Sequence, residues 1–563
     1  MRVLWLVAIA AIAAALAAYL ALRTAGVLGP RAAGRAERKF FVRLFYEGCR
    51  GSPLLYSDPL MRRNFFERGE VAAFEIDVSN PEDRDLKVAF FLAPADDPSR
   101  LVKVHEGVAR AGSVTRFSFE VDTSQLALAL YLLVAEVEGR FSSNTEPFRS
   151  TNLESYPWLL AVLGGPARWE APSEGLPRLV VPEGLGVNIH FVAPSPAEER
   201  DLDMIAYAGF KLVRMDLFWH LVERERGSYD LSGYRALTEA LRRRGLRPLY
   251  ILDYGNPHYD DGLPPRSGEG RSAFARFARK AAEEFGPYAL WEIWNEPNIA
   301  AFWKPQPNVA DYVELAKAAA AAVKAACPSC VVLAPATSGV DVDFISRAAS
   351  LVGLLDWIDA VSVHPYRDSS PETALGDYER LRAAVRGKVV VASEWGYPTA
   401  GRYGNVVDVW RQAQHAARIY LVNLMAGLPV TIIYDWKDDG LSLEDSEHNF
   451  GLVSHHVRGP EWFLVKPAWY ALYNLNKRLA GFTPAGRLEL GPGVYALRLE
   501  GPGPPKIALW TEGGERGVEL SVGAERVKLA RLFGLEEELE APGGVLRLRV
   551  SGSPVIVELP AQP

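Results

Sequence analysis

Apolar and polar positions along the chain fall into three regimes. From about Phe45 to Ser150 they alternate with a period of two, in Val71–Val78 (VAAFEIDV), Leu86–Leu92, Val114–Val121 (VTRFSFEV) and Leu130–Val137. Turn clusters such as Ser79-Asn80-Pro81-Glu82-Asp83 and Pro94-Ala95-Asp96-Asp97-Pro98 separate the runs. That spacing predicts a small antiparallel β-sandwich over residues 45–150. From Gly481 to Pro563 the same period returns in Gly493–Leu499, Lys506–Trp510, Val518–Val522, Val545–Val550 and Val555–Leu559, predicting a second β-sandwich.

Between the two, short apolar runs alternate with amphipathic helical stretches. Strands are predicted at Leu185–Phe191, Leu212–Leu217, Arg247–Asp253, Ala289–Asn295, Val331–Ala336, Ile358–His364, Lys388–Glu394 and Val430–Trp436. Helix-like segments separate them, among them Ala197–Ala208, Tyr234–Arg244, Ser272–Phe285, Val309–Ala326 and Val407–Met425, and Pro467–Leu479 closes the series. Eight strand–helix alternations within residues 180–480 have the size and order of an α/β fold of the (β/α)₈ barrel type, a TIM barrel. A doubly wound open sheet is the alternative, and it seldom needs eight such regular units.

The N-terminus changes the picture of the compartment. Leu4 to Leu22 (LWLVAIAAIAAALAAYLAL) is an uncharged apolar run, about 28 Å long as a helix, close to the thickness of a bilayer's hydrocarbon. Residues 1–23 therefore read as a membrane anchor or a signal peptide, the length favouring the anchor, with 24–44 as a linker. Arg23, Arg31, Arg35, Arg38, Lys39 and Arg43 follow the run, a placement the positive-inside rule would keep cytoplasmic. Because large domains translocate despite such charges, an extracytoplasmic location, anchored or secreted, is the expectation.

Composition removes several function classes. With 49% hydrophobic residues the chain is neither disordered nor a small disulfide scaffold. Its net charge is −7, and residues 1–43 are basic, so the remainder is more acidic still and would repel a phosphate backbone. Cys327 and Cys330 form CPSC without the second pair or His cluster that zinc needs, leaving a local disulfide or two idle thiols. Five Gln and five Met in 563 residues is a weakly thermophile-like scarcity.

In a parallel barrel the reactive side chains stand at the C-terminal ends of the strands. Here those ends carry Arg214 and Asp216 on the second strand, Asp253, Asn256 and His258 on or after the third, and Asn295-Glu296 on the fourth. The sixth ends His364-Pro365-Tyr366, the seventh Ser393-Glu394-Trp395 and the eighth Tyr434-Asp435-Trp436. Glu296 and Glu394 thus face one mouth from nearly opposite strands, with Trp291, Trp294, Trp303, Trp395 and Trp436 nearby in sequence. Aromatic platforms, amides and carboxylates suit the apolar faces and hydroxyl rims of sugars. Paired carboxylates with no metal-ligand set point to glycosidic-bond cleavage, with no cofactor and a carbohydrate substrate.

The motifs WEIWNEPN (291–298), VHPY (363–366), ASEWGY (392–397) and YDW (434–436) resemble the strand-end motifs of glycoside hydrolase clan A, families 39 and 5 being the nearest patterns. GVNIHF (186–191), DSEHNFGL (445–452) and KPAWY (466–470) lean toward a family-39-like or exopolysaccharide-cleaving member. The resemblance covers about residues 185–480 and not 1–150. It implies a retaining β-glycosidase in which Glu296 is the general acid/base and Glu394 the nucleophile. It further implies that Asn295 bonds the sugar 2-hydroxyl, that Arg214 and Tyr366 hold Glu394, and that His364 sets the surroundings of the acid/base. Trp436 would floor the sugar subsite, and Asn256 or His258 would supply the third-strand contact.

Each residue also has a plainer explanation. Glu296 could cap a helix before Pro297, Glu394 could pair structurally with Arg214, and His364 could be a satisfied core histidine. Trp303 and Trp462 are as readily packing as sugar platforms, Glu292 and Asp435 read as supports, and Glu444, Asp445 and Glu447 read as a solvated loop that could rim the cleft. His455 and His456 lack partners for a metal site. The rivals to a hydrolase are a transglycosylase using the same residues and a non-catalytic carbohydrate-binding surface protein.

Overall fold

A computed structural model of the chain describes residues 54–56, 63–80, 82–137, 140–143, 159–170, 174–351, 353–455 and 463–561. The apolar run Leu4–Leu22, the linker and Trp462 lie outside these residues. No helix among them is long and apolar enough to cross a membrane.

Eight parallel strands close into a barrel: β1 (Leu185–Asn188), β2 (Leu212–Phe218), β3 (Arg247–Asp253), β4 (Leu290–Ile293), β5 (Val331–Ser338), β6 (Ala360–His364), β7 (Val389–Trp395) and β8 (Thr431–Ile433). Each pairs with its neighbours in sequence, and β1 pairs with β8 to complete the ring. The (β/α)₈ expectation is met. The expected β1 and β8 were longer at their C-terminal ends, because the apolar pattern runs on into the loops: His190 and Phe191 lie beyond β1, and Tyr434, Asp435 and Trp436 beyond β8.

Helices cover the outside of the barrel, and local chemistry sets their starts. Ser195 and Glu198 form a reciprocal capping box at the head of Pro196–Tyr207. Asn308 accepts from the Asp311 amide at the head of Val309–Ala326. That second helix buries Val309, Tyr312, Val313, Ala316, Ala319, Ala320 and Val323, a stripe spaced by three and four residues that packs on the barrel. Cys327 ends it and is bonded to Cys330, which decides between the two readings of CPSC.

The N-terminal β-strands form two packed sheets. In one, Val71–Asn80 pairs with Ser113–Asp122 in a register that sets Phe74 against Phe119. Their rings meet Phe90 of the facing sheet at 5.4 Å from Phe119, in a core with Ile76, Val88 and Leu133. That facing sheet also takes in Leu159–Leu163, beyond the expected end at Ser150. Its run LLAVL is buried at every position and so carries no alternation to read. Val102–Ala109 was missed because Lys103, His105, Glu106 and Gly107 interrupt its apolar positions. The C-terminal region is a six-stranded and a two-stranded antiparallel sheet enclosing Ala496, Leu509, Leu520, Leu546 and Val557.

Buried polar contacts dock the flanking sheets on the barrel. Glu372, just after β6, takes Arg418 Nε at 2.7 Å from a barrel helix and Trp510 Nε1 at 2.7 Å from the C-terminal sheet. Asn64 exchanges two hydrogen bonds with the Val465 backbone. Asp96 accepts the amides of Phe533 and Leu535, which joins the two β-regions directly. Glu372→Ala would strand the Arg418 charge, which is 2% exposed, and is expected to lower unfolding free energy by about 3–5 kcal/mol in denaturant titration. An unchanged midpoint would show that the carboxylate does not hold this joint.

Candidate active site

The barrel interior is an apolar plug below and a polar chamber above. Leu212, Leu249, Leu290, Leu333, Ala360, Val391 and Ile432 point inward near the starts of their strands and close the lower end. Two residues further along, the same faces turn polar: Arg214 follows Leu212, Glu292 follows Leu290, and Ser362 then His364 follow Ala360. Strict alternation would then send Glu394 outward, since Val391 points in. It does not, because the register between β7 and β8 shifts between Ala392 and Trp395, three steps on one strand answering two on the other. The extra residue turns Glu394 to the interior and Trp395 to the helix layer.

A second break serves Glu296. After β4, Trp294 and Glu296 both have positive φ, 67° and 46°, which β-strands do not use and which non-glycine residues adopt at a cost of about 1–3 kcal/mol each. Trp294 is thereby thrown into the outer core, while Asn295 and Glu296 line the chamber. The Glu296 amide is tied to the Ala336 carbonyl at 2.9 Å, which pins the turn to β5.

Arg214 organises the chamber floor. Its Nε donates to Glu292 Oε2 at 2.8 Å, Nη1 to Glu394 Oε2 at 2.5 Å and Nη2 to Asn295 Oδ1 at 2.9 Å. Nη2 also lies 3.2 Å from His364 Nε2. A guanidinium can only donate, so Nε2 accepts and the ring proton sits on Nδ1, which faces Glu296 Oε1 at 2.9 Å. Tyr366 donates its hydroxyl to the other oxygen of Glu394 at 2.8 Å. Oxygens of Glu296 and Glu394 and a His364 nitrogen all lie within 4.8 Å of one another.

The two carboxylates have unlike surroundings. Burial pushes Glu394 up, but His364, the Arg214 guanidinium and the Tyr366 hydroxyl outweigh it and leave the carboxyl below its ordinary range. Glu296 has neither a cation nor a phenol on it, only the Nδ1–H.

Above the floor opens a cavity of about 710 Å³, a size that holds one or a few sugar rings. Arg214, Asn295, Glu296, Tyr366 and Glu394 line it, together with the aromatic faces of Tyr254, Phe302, Tyr434 and Phe450. His364 lies just beneath, fully buried. Four expected contacts are absent from its wall. Trp436 is 1% exposed and packs on Phe463, because the chain turns after Tyr434 and sends that phenol inward instead. Trp303 is fully buried between Trp294 and Tyr312. Asn256 is buried with its amide on the Glu223 carbonyl, and His258 sits on the Arg224 carbonyl, because the loop after β3 folds toward β2 rather than over the mouth.

Other lining residues were not picked out from the sequence. Asn188 and His190 stand at the end of β1, a position the strand-end rule could have flagged. Glu447, read as part of a solvated loop that could rim the cleft, does reach the cavity and accepts from Tyr403 and Tyr434 hydroxyls at 2.8 and 2.9 Å. His190 Nε2 lies 3.4 Å from Asp435 and 3.8 Å from Asp439, and these three also bring donor atoms within 4.8 Å. Burial acts to lower its pKa, and the two aspartates reverse that and lift the imidazole to about 9.

The sequence matches no family model and no curated protein. Among solved structures, a family 39 glycoside hydrolase from the gut symbiont Bacteroides cellulosilyticus WH2 is similar with a TM-score of 0.64 at 21% identity, over 90% of this chain and all of that one. A family 30 endoxylanase from Clostridium papyrosolvens C71 has a TM-score of 0.48 at 13% identity, over 69% of this chain and 99% of its own. A glucosidase from Croceicoccus marinus gives 0.46 at 16% identity, over 70% and 98%. The first of these establishes a shared fold. That neighbour is a glycoside hydrolase of family 39, one of the two families whose strand-end motifs the chain resembles.

The His190 pair yields a pH test. Burial pushes the Asp435 carboxyl up to about 7 while the aspartates lift His190 to about 9, so the pair is ionised on both sides between those values; its support for the folded state is lost as pH climbs through about 9 and also falls as Asp435 takes a proton below about 7. In ¹⁵N-detected NMR the His190 ring is expected to titrate near 9, and in Asp435→Asn to titrate measurably lower. A wild-type midpoint at 6.5 would remove the imidazolium.

Proposed function

We propose that the chain is a retaining glycosidase that cleaves β-linked poly- or oligosaccharides by double displacement. The observation that carries the reading is the pair Glu296 and Glu394, with oxygens within 4.8 Å across one sugar-sized cavity and with different partners. Retaining enzymes set their carboxyl groups about 5–5.5 Å apart, whereas inverting ones leave room for a water between. The near spacing favours the retaining course.

In the first step Glu394, ionised between Arg214 and Tyr366, attacks the anomeric carbon while the bond to the leaving oxygen breaks. Glu296, protonated on the oxygen not facing His364, gives its proton to that oxygen and releases the alcohol. Positive charge builds on the sugar ring between two carboxylates, where it is stabilised most. Asn295, held by Arg214 through its carbonyl, keeps its amide free to bond the 2-hydroxyl. In the second step Glu296 takes a proton from water, the hydroxide oxygen attacks the anomeric carbon, and Glu394 leaves as carboxylate. The Nδ1–H of His364 then steadies Glu296 in its ionised form.

We place the barrel outside the cytoplasm, a reading supported by the Cys327–Cys330 disulfide and by the apolar run Leu4–Leu22. Protease treatment of intact cells expressing the full chain is expected to remove the barrel, and full protection would count against it.

The enzymatic test is mutational. Glu394→Ala is expected to abolish hydrolysis of aryl β-glycosides, and azide to restore turnover with an α-glycosyl azide as product. Glu296→Gln should lower kcat/KM about 10²–10⁴-fold with poor leaving groups. Wild-type rates in either folded variant would remove the assignment.

A further inference from the structure

We propose that Tyr403 is the platform of a second sugar subsite, on the leaving-group side of Glu296, so that the chain cleaves bonds whose leaving group is itself a sugar. The inference rests on the glycosidase reading and names the part of the substrate beyond the cleaved bond. The cavity has two halves. Asn188, His190, Arg214 and Asp216, on or just beyond β1 and β2, wall one side, where Arg214 holds Asn295. Ile299, Ser338, Asp368, Tyr403 and Asn405, at or beyond the ends of β4 to β7, wall the other. A sugar bonded to Asn295 through its 2-hydroxyl occupies the first half. Its leaving oxygen lies against Glu296, and what leaves extends into the second.

Tyr403 differs from the other aromatic residues of the wall. Phe450 is buried and Tyr254, Phe302, Tyr366 and Tyr434 are partly buried, whereas Tyr403 is 52% exposed. Its open ring is nevertheless clamped. The hydroxyl donates to Glu447 Oε1 at 2.8 Å, and the other oxygen of Glu447 takes the Tyr434 hydroxyl. The amides of Tyr403 and Arg402 both donate to Ser446 Oγ, at 3.0 and 2.9 Å. Gly401, with φ at 111°, lets the two loops meet, since a Cβ there would stand 2.1 Å from that oxygen. An aromatic face held open by two loops is preorganised for a flat apolar partner, and the CH face of a sugar ring is one.

Polar groups for the hydroxyl rim of that sugar stand beside the ring. Asn405, 7% exposed, lines the cavity, and its carbonyl oxygen has no hydrogen-bond donor among the described residues. A sugar hydroxyl would supply the missing donor. Asp368 sets its carboxylate against Gly404, where a Cβ would come within 2.5 Å of Oδ2, and it offers further acceptors on the same wall. Burial, then Glu447, Asp445 and Glu296, lift the Tyr403 phenol to about 12, so the ring stands within electrostatic reach of the carboxyl that would protonate the leaving oxygen.

The test pairs two substrates that share one glycone. One is a β-glycosyl fluoride, whose leaving atom is too small to touch the ring, and the other is a β-linked disaccharide of the same sugar, drawn from glucose, galactose, xylose and mannose. Tyr403→Ala in the full chain is expected to lower kcat/KM for the disaccharide at least about tenfold more than for the fluoride. Tyr403→Phe, which keeps the face and loses the bond to Glu447, is expected to hold the wild-type ratio of the two within about threefold. Equal losses on both substrates in Tyr403→Ala, or a ratio in Tyr403→Phe as low as in Tyr403→Ala, overturn the inference and leave the glycosidase reading standing. Wild-type hydrolysis of a fluoride but of none of the disaccharides does the same. Inactivity of the folded wild type on every fluoride and disaccharide overturns the glycosidase reading and takes this inference with it.

Discussion

One guanidinium sits where the polar chamber begins, and the rest of the site is arranged around its hydrogen bonds. Arg214 is 1% exposed, and a lone charge at that depth would carry a desolvation cost of several kcal/mol. The cost is met by Glu292 from β4 and Glu394 from β7, whose charges, with that of Asp216, keep the guanidinium protonated against its burial. The same ion bonds Asn295 and His364, so four strands or strand ends converge on one side chain. Two carboxylates on one cation leave the cluster net negative, an excess that fits the electron-poor anomeric carbon of the proposed reaction. A hydrophobic residue of equal size at 214 would remove the desolvation cost and the site together.

The strands that carry the two glutamates both depart from regular β geometry at the point where they carry them. A barrel interior built on alternation can present only every second residue, and those positions on β7 are Val391 and Ser393. The shift between Ala392 and Trp395 is what reaches Glu394, and the left-handed residues after β4 are what reach Glu296. Neither distortion could stand alone. Trp294 and Trp395, displaced outward, are fully buried in the helix layer, and their packing stabilises the turns that displaced them. Rigid aromatic burial outside the barrel and carboxylate placement inside it are two ends of the same local deformation.

This coupling explains what the sequence made legible. The barrel was readable because eight apolar runs alternate with amphipathic helices, and β3 and Val309–Ala326 came out with the bounds the structure has. The Asn295-Glu296 and Glu394 positions stood out as chemistry at strand ends. The tryptophans were the weaker part: the resemblance implied a subsite floor for Trp436, and Trp303 read as packing or platform alike, yet both serve the core, and tyrosines and phenylalanines face the cavity instead. Tyr434 and Trp436 are two residues apart, and only the path of the chain after β8 decides which of them turns inward. For Glu447 the loop was legible as a possible rim of the cleft but its contacts were not, since its partners Tyr403 and Tyr434 lie on other loops and no local pattern joins them. Contacts within an element leave a periodic trace, whereas contacts between loops leave none.

The unlike treatment of two chemically identical side chains follows from the same cluster. Arg214 reaches Glu394 directly but touches Glu296 only through His364, which accepts on Nε2 and donates from Nδ1. The imidazole passes on orientation: Arg214 lies against Nε2, and Nδ1 faces one Glu296 oxygen. The other oxygen of Glu296 is left to the cavity. A carboxyl held at one oxygen can release and regain a proton at the other without moving, which the proposed acid and base work of Glu296 requires. A carboxylate bracketed by a cation and a phenol is anchored as an anion and cannot play that part. The proposed division of labour between the two glutamates is therefore written in which of them the arginine touches first.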